Sequence, residues 1–229
     1  MVLYIRACMY FDEPTSMSSS ATKSPAGRPR VTQAERRARS RAALLESAAR
    51  GFSRYGYGNL VLEDVAREAG YTRGALYHQF KDKEDLALAV LHWADQTWQR
   101  EVAELADEQS DPVEALLAMA RGHAILCRRD IARVAMALRI EFSGQDHPIA
   151  RELERVQAAL VKRLARLISA GRGEGSIPPG PPARTVALAL TGALEGAVIA
   201  LAGNAQYDEV LTVRAVAGVL GLDPSRALA

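Results

Sequence analysis

The residues best suited to chemistry lie between Leu62 and Lys81, in the segment LEDVAREAGYTRGALYHQFK. Arg73 could donate paired hydrogen bonds to a guanine edge or reach a phosphate, and the hydroxyls of Thr72 and Tyr77 suit phosphate oxygens. Tyr77 could instead be half-buried packing, and His78 could contact a base, contact a phosphate or simply be exposed. The DNA contacts predicted in and just after this segment are Thr72, Arg73, Gly74, Tyr77, His78 and Lys83.

Positive charge is concentrated towards the beginning of the chain. Residues 22–41 contain seven Lys and Arg residues and one Glu, although the whole chain has a net charge of only +2. This asymmetry indicates a polyanionic partner for that end. Arg28 and Arg30 on an extended leader could enter a narrow minor groove, or could belong to a solvated tail. Lys83 lies in the first turn of a predicted helix, where its ammonium and the free backbone amides favour a phosphate.

A second group consists of polar side chains on helices that are otherwise apolar. His123 and Cys127 are four residues apart and therefore share one helix face, but no further ligands stand at a convincing spacing, so we expect no metal and no cofactor. His123 could be a hydrogen-bonded core residue or a ligand contact. Glu195 must be paired or face a cavity or interface, and Arg139 is either its partner or a surface residue. The predicted ligand-binding residues are Met119, His123, Cys127, Arg139, Phe142 and Glu195.

The elements that must position these residues are predicted to be helices. Thr32 with Glu35, and Asp82 with Asp85, are patterns typical of helix starts. Apolar residues then recur at three- or four-residue spacing, and the sequence lacks an alternating strand pattern of useful length. Residues 171–182 contain four glycines and four prolines, which predicts a loop between long helices. The predicted fold class is all-α.

Within this helical chain, residues 62–81 match the plan of a helix-turn-helix. A short helix with an apolar face precedes Gly70, which can adopt the positive φ that ends a helix and reverses the chain. Thr72 suits the N-cap of a second helix, which would bury Leu76 and Phe80. In such a motif the second helix enters the major groove of DNA, although the spacing alone would also fit another tight helical pair.

The same region resembles a known family. The stretch from Arg41 to Arg100, including DVAREAGYTRGALYHQF and KDKEDL, closely resembles the DNA-binding domain of the TetR/AcrR family of transcriptional repressors. The resemblance implies a three-helix DNA-binding domain, a connecting fourth helix, and an all-helical C-terminal domain that binds a small ligand and forms a homodimer. The chain departs from the family at Val61, where Ser or Thr usually caps the motif's first helix. Asn59 could cap a shifted start, and we predict no DNA contact for Val61.

Small residues on the helix predicted over 183–203 suit close packing against another helix. Gly192 and Gly196 leave its backbone open to approach, and with the helix over 208–220 they predict a four-helix interface across a two-fold axis. Packing within one chain is the alternative. Because Glu195 interrupts the apolar run, we predict a buried helix rather than a membrane span. The predicted interface residues are Gly192, Gly196, Val213, Val216 and Leu220.

These observations predict a chain with three parts. Residues 1–30 are expected to be disordered with the basic arm at their end, residues 31–82 to form the helix-turn-helix domain, and residues 83–229 to form the ligand-binding and dimerisation domain. The sequence has only two cysteines, which argues against a disulfide framework and favours the cytoplasm.

The function predicted from the residues and the resemblance is a homodimeric transcriptional repressor that a small molecule releases from double-stranded operator DNA. The helix with Trp93 and Trp98 links the two domains and is the expected lever. A ligand-independent regulator or an activator is the alternative. An enzyme with a DNA-binding appendage is disfavoured, because the sequence lacks a nucleophile–base pair, a metal set and a phosphate-binding glycine loop.

Overall fold

The computed structural model describes residues 32–201 and 204–223, and within these ranges the chain forms helices and loops without a β-strand. The predicted all-α fold class is confirmed. A π-helical stretch, Gln99–Ala103, joins the fourth helix to the fifth. The predicted disordered segment 1–30 lies outside the described residues. The helices are α1 (Gln33–Asn59), α2 (Leu62–Glu68), α3 (Arg73–Tyr77), α4 (Lys83–Trp98), α5 (Glu104–Asp107), α6 (Pro112–Leu126), α7 (Asp130–Phe142), α8 (Pro148–Glu174), α9 (Ala183–Ala200) and α10 (Asp208–Leu220).

Two of the helices begin at the predicted capping residues. In α1 the hydroxyl of Thr32 accepts a hydrogen bond from the Glu35 amide at 3.2 Å, and the Glu35 carboxylate accepts one from the Thr32 amide at 2.7 Å. In α4 the carboxylate of Asp82 accepts a hydrogen bond from the Asp85 amide at 2.8 Å. These side chains satisfy amides that have no partner within the helix, and each cap contributes about 1 kcal/mol.

Two hydrophobic clusters hold the helices together. The first joins α1–α4 to α7 and the start of α8, and Phe52, Leu76 and Leu86 are fully buried in it. The second joins α6, the later part of α8, α9 and α10, around Leu116 and Leu190. Full burial of each such side chain stabilises the fold by about 1.5–3 kcal/mol. The first cluster contains residues from both sides of the predicted domain boundary at residue 82, because α4 packs with the helices before it. The domain limits stay a prediction.

The helix α9 is covered on one face only. Among the described residues it is the one helix whose length and composition would let it cross a membrane, but it packs against α8 and α10. Val186 and Leu190 are buried, whereas Leu188 and Ile199 on the other side are 47% and 56% exposed. The predicted buried helix is thus buried on its inner face and leaves an apolar outer face uncovered by the described part of the chain.

Candidate nucleic-acid interface and ligand cavity

The turn between α2 and α3 has the expected geometry of a helix-turn-helix. Gly70 has φ +77°, a conformation that side chains other than glycine rarely adopt. Its amide donates to the Arg67 carbonyl at 3.0 Å, and the next amide, of Tyr71, donates to the Ala66 carbonyl at 2.8 Å. The Thr72 hydroxyl then accepts a hydrogen bond from the Ala75 amide at 3.2 Å and caps α3. Two helices are therefore joined at a fixed angle by their own backbone hydrogen bonds.

One face of α3 is buried and the other is free for a partner. Leu76 is fully buried in the first cluster. Arg73, Gly74, Tyr77 and His78 all lie on the exposed side. Open space surrounds Gly74, since a Cβ built there would meet only the Thr72 hydroxyl, at 3.9 Å. The absence of a side chain at this position allows close approach of a large partner.

Contacts within the chain already orient Arg73. Its guanidinium forms an ion pair with Glu63 of α2 at 2.9 Å and lies 5.4 Å from the centre of the Tyr77 ring. Tyr77 is 42% exposed, so it packs against Arg73 without being buried in the core. The Thr72 hydroxyl accepts the capping hydrogen bond and keeps its own proton free to donate to a phosphate oxygen.

The structure gives Lys83 partners within the chain that the sequence did not predict, and its phosphate contact stays a prediction. Its ammonium donates to the carbonyls of Tyr57 and Gly58 at 2.7 Å and 3.2 Å, and it lies 5.0 Å from the centre of the Tyr57 ring. The first turn of α4 is also occupied, because the Asp82 carboxylate already caps the Asp85 amide. The sequence placed Lys83 on the right helix turn, but its ammonium is directed to the end of α1 by contacts that only the fold creates.

The departure at Val61 has the structural consequence expected of an apolar cap. Val61 precedes α2 without a side-chain hydrogen bond to it and is 47% exposed. The proposed substitute, Asn59, donates to the Tyr55 carbonyl at 3.1 Å instead. The start of α2 therefore lacks the side-chain cap that the family usually has.

Exposed cations on α1 extend the basic surface towards the motif. Arg36, Arg37 and Arg39 are exposed in its first turns. Arg41 lies 4.6 Å from the centre of the Phe80 ring and donates to the Gln79 carbonyl at 3.4 Å, which connects α1 to the end of the motif. The DNA contacts predicted from the sequence do not include these four arginines, although they belong to the concentration of positive charge over residues 22–41. The predicted contacts Arg28 and Arg30 lie outside the described residues.

A cavity of about 120 Å³ lies between α4, α6, α7, α8 and α9, and apolar side chains form most of its wall. Four of the predicted ligand-binding residues line it: His123, Cys127, Arg139 and Glu195. The guanidinium of Arg139 and the carboxylate of Glu195 form an ion pair across it, so the partner suggested for Glu195 is confirmed. The buried Nε of Arg139 has no hydrogen-bond partner among the residues that the structure describes. A buried donor without a partner is unfavourable, and an acceptor that reached it would remove that cost.

His123 is held neutral in the wall of this cavity. Its Nδ1 accepts a hydrogen bond from the Trp98 indole at 3.3 Å, and its Nε2 lies 3.5 Å from the Cys127 sulfur. Burial lowers the pKa of His123 to about 4 and raises the pKa of the Cys127 thiol to about 12. Both groups are therefore uncharged at neutral pH and suit contacts with an uncharged part of a ligand. No cluster of three or more metal-ligating side chains occurs among the residues that the structure describes.

Two predicted ligand-binding residues do not reach the cavity. Met119 is 1% exposed and packs in the second cluster, while Phe142 packs on Tyr57 in the first, with ring centres 5.1 Å apart. Helical spacing does not reveal which side of a helix faces a cavity, so a ligand contact of these two residues stays a prediction that this cavity does not support.

The ligand-binding residues predicted from the sequence do not include two acidic residues of the cavity wall. Asp95 and Glu152 line it, and both bind Arg155, at 3.2 Å and 2.8 Å. The Arg155 guanidinium lowers the pKa of the Glu152 carboxyl, so this wall carries charge at neutral pH. Neither residue had a signal in the sequence, because a charged residue beside an apolar stripe normally faces solvent.

The residues predicted for a dimer interface differ in their exposure. Gly192 and Gly196 are exposed on α9, with open space where a Cβ would lie. The interface prediction is corrected for Val213, Val216 and Leu220, which are at most 4% exposed and pack in the second cluster of the same chain. The exposed apolar residues of α10 are Val210, Leu211 and Val219. Both faces of α10 are apolar, so the sequence does not distinguish its buried face from its exposed one.

Comparisons with known proteins agree with this architecture. The family model described as bacterial regulatory proteins of the tetR family matches residues 44–90. The HTH-type transcriptional repressor AcnR of Corynebacterium diphtheriae is 31% identical over 138 residues, which cover 59% of this chain and 68% of that protein. YfiR of Bacillus subtilis, an uncharacterized HTH-type transcriptional regulator, is 26% identical over 162 residues, 69% of this chain and 78% of the relative.

The fold is also found in a solved complex. The crystal structure of AibR with isovaleryl coenzyme A and operator DNA matches with a TM-score of 0.65 and 19% identity, covering 80% of this chain and 100% of that one. At this identity the match concerns the fold alone. The helix-turn-helix geometry, the family model over it and the 31% identity to a repressor lead to one conclusion: the chain belongs to the TetR family of bacterial transcriptional regulators.

Proposed function

We propose that the chain is a homodimeric repressor, and that a small molecule bound in the cavity between α4, α6, α7, α8 and α9 releases it from its operator. The observation that carries the proposal is a single helix, α4, which touches both sites: it begins beside the helix-turn-helix and ends in the cavity wall at Trp98. A ligand that prefers a DNA-incompetent arrangement of the helices would shift the population of dimers towards it. This function places the protein in the cytoplasm, with the chromosome.

DNA recognition uses the exposed side of α3. Arg73 leaves Glu63 to contact a base edge, and Thr72 and Tyr77 donate to phosphates on either side. The arginines of α1 supply attraction that is independent of sequence and sensitive to salt. One such domain reads half an operator, and specific binding requires a second α3 about 34–36 Å away.

The second α3 is supplied by another copy of the chain. The outer face of α9 and the exposed residues of α10 form an apolar surface, which includes Leu188, Ile199 and Leu211 at 47%, 56% and 40% exposure. Two such helix pairs make a four-helix interface when related by a two-fold axis. The glycines at 192 and 196 allow the two α9 backbones to approach closely.

The ligand is a small, largely apolar molecule with at least one hydrogen-bond acceptor. The wall is mostly apolar and His123 is neutral, which favours an uncharged body, and the charges of Asp95 and Glu152 are already paired with Arg155. The Nε of Arg139, which has no partner among the described residues, favours the acceptor. AibR, which shares the fold, was crystallised with both isovaleryl coenzyme A and operator DNA, which supports a ligand-responsive regulator.

Selection of DNA from a randomised pool tests the first half of the proposal. The wild-type chain should enrich a sequence with two-fold symmetry, and Arg73→Ala should lose about 1–3 kcal/mol of affinity for it and relax preference at one position. Arg166→Ala, which removes an exposed arginine far along α8, is the matched control for net charge. Failure to enrich any sequence would refute the proposed function.

A cavity-filling variant tests the second half. Ala135→Phe places a ring in the cavity, whereas Ala158→Phe adds the same ring to an exposed position of α8. A compound that raises the melting temperature of the wild type should release the operator from the wild type and from Ala158→Phe, but not from Ala135→Phe. If all three proteins respond equally, the ligand binds elsewhere; if no compound releases DNA, the chain is a ligand-independent regulator.

A further inference from the structure

We propose that Glu141, at the end of α7, is the positioning residue through which the cavity controls the DNA-binding helices. The inference rests on the proposed function and adds a route that does not depend on α4 alone. It assigns a role to the turn at Gly56–Gly58, where α1 is interrupted near its end and which residues of α7 and α4 hold at the same time.

The turn is bound from one side by a carboxylate of α7. The amides of Tyr57 and Gly58 donate to the two oxygens of Glu141 at 2.5 Å and 2.7 Å. Gly56 has φ +72° and ψ −179°, a conformation essentially confined to glycine, and a Cβ there would lie 2.9 Å from Glu141 Oε2. Successive amides in a tight turn form an anion-binding concavity, and here a side chain of the same chain occupies it.

The same turn is bound from the other side by α4. The carbonyls of Tyr57 and Gly58 accept the hydrogen bonds of the Lys83 ammonium described above. Lys83 begins the helix that directly follows the helix-turn-helix. Any displacement of Glu141 therefore reaches both α1 and α4 through one short segment of backbone, by way of charge-assisted hydrogen bonds.

The helix α7 connects this clamp to the cavity. Ala132, Ala135 and Arg139 on one of its faces line the cavity, and Ile131, Val134 and Leu138 on the neighbouring face pack in the first cluster with α1. The carbonyl of Asp130, at its start, accepts a hydrogen bond from Ser53 of α1 at 3.0 Å. One continuous helix thus carries both the cavity residues and Glu141.

The ion pair between Arg139 and Glu195 is where a ligand would act on α7. Arg139 is two residues before Glu141 on the same helix, and its partner Glu195 belongs to α9, which also carries the proposed dimer face. A ligand that competes for Arg139 releases α7 from α9. Movement of α7 then changes how Glu141 holds the turn, and the position of α3 relative to the dimer axis changes with it.

A double-mutant cycle tests this inference without knowledge of the ligand, because Glu195→Gln weakens the ion pair directly. The readouts are affinity for the DNA selected by the wild type and hydrogen exchange at the amides of Tyr57 and Gly58. Glu195→Gln alone should lower operator affinity about tenfold, as the ligand does, and accelerate hydrogen exchange at both amides. In the Glu141→Gln background it should change neither, because the connection is already broken.

Two further variants keep the test decisive. Glu154→Gln removes an exposed carboxylate from α8 and should leave both readouts unchanged, which separates the clamp from a general effect of charge on DNA binding. Glu141→Asp, whose side chain is one methylene shorter, should weaken the hydrogen bonds to the turn and give an intermediate coupling; it serves if Glu141→Gln fails to fold. Additive effects of the substitutions at 195 and 141 on operator affinity would overturn the role of Glu141 and leave α4 as the sole lever. Absence of specific DNA binding by the wild type would instead refute the proposed function.

Discussion

Replacement of Gly196 by leucine should dissociate the proposed dimer without harming the folded chain. A Cβ at Gly196 meets no described residue within 4 Å, so the side chain enters open space on the outer face of α9. Removing a glycine from a helix interior stabilises the helix by up to about 1 kcal/mol. The same side chain in a close helix–helix contact costs about 1–3 kcal/mol, and the two-fold axis places two copies in the interface.

The net penalty for the dimer is therefore about 2–6 kcal/mol, which raises its dissociation constant by about 30-fold or more. Sedimentation velocity at micromolar concentration should show monomers for Gly196→Leu and dimers for the wild type, with equal helical signal in circular dichroism. Gly173→Leu is the matched control, because Gly173 is also exposed on a helix with open space around its Cβ position. A Gly196→Leu protein that sediments as a dimer, with unchanged operator affinity, would show that the interface lies elsewhere.

Three further predictions follow from the contacts of single residues. Lys83→Ala should lower the free energy of unfolding, measured in urea, by about 1.5–3 kcal/mol, because the ammonium binds carbonyls of α1. It should leave the salt dependence of DNA binding unchanged, and a salt slope reduced by about one unit would instead indicate a phosphate contact. Glu63→Gln should tighten binding to selected DNA more than Glu114→Gln does, since it frees Arg73 from its ion pair; equal effects in a binding titration would mean that the pair does not compete with DNA. The free energy of unfolding should decrease as pH falls from 6.5 towards 4, because the unfolded chain protonates His123 while the folded chain holds it neutral. His123→Gln should remove this part of the pH dependence, and the same pH profile in the variant as in the wild type would argue against a buried neutral imidazole.

The helix-turn-helix was predictable because its determinants are local. A glycine that needs a positive φ, a threonine that caps the next helix and two apolar residues at helical spacing lie within a few residues of one another, at Gly70, Thr72, Leu76 and Phe80. Their geometry is set by short-range hydrogen bonds and by which face can be buried. The exposed face of α3 follows once the buried one is known.

The cavity was predictable only in part. A polar residue in an apolar helix signals a partner or a cavity, which identified Glu195 and its pairing with Arg139. The same signal fails for Glu152, because a charged residue beside an apolar stripe normally faces solvent, and only the packing of α8 against α4 brings it to the cavity. Periodicity locates an apolar face but does not say whether that face meets a core, as at Met119, or a void.

The sequence by itself determined the all-α class, the helix starts and the motif that reads DNA, because each depends on neighbours within one or two helical turns. The tertiary structure alone decided that Lys83 and Glu141 hold the same turn from opposite sides, since these residues are 58 positions apart and meet only when α7 packs against α1. It also decided which face of α10 is left open, because both faces are apolar and only packing against α6 and α9 distinguishes them.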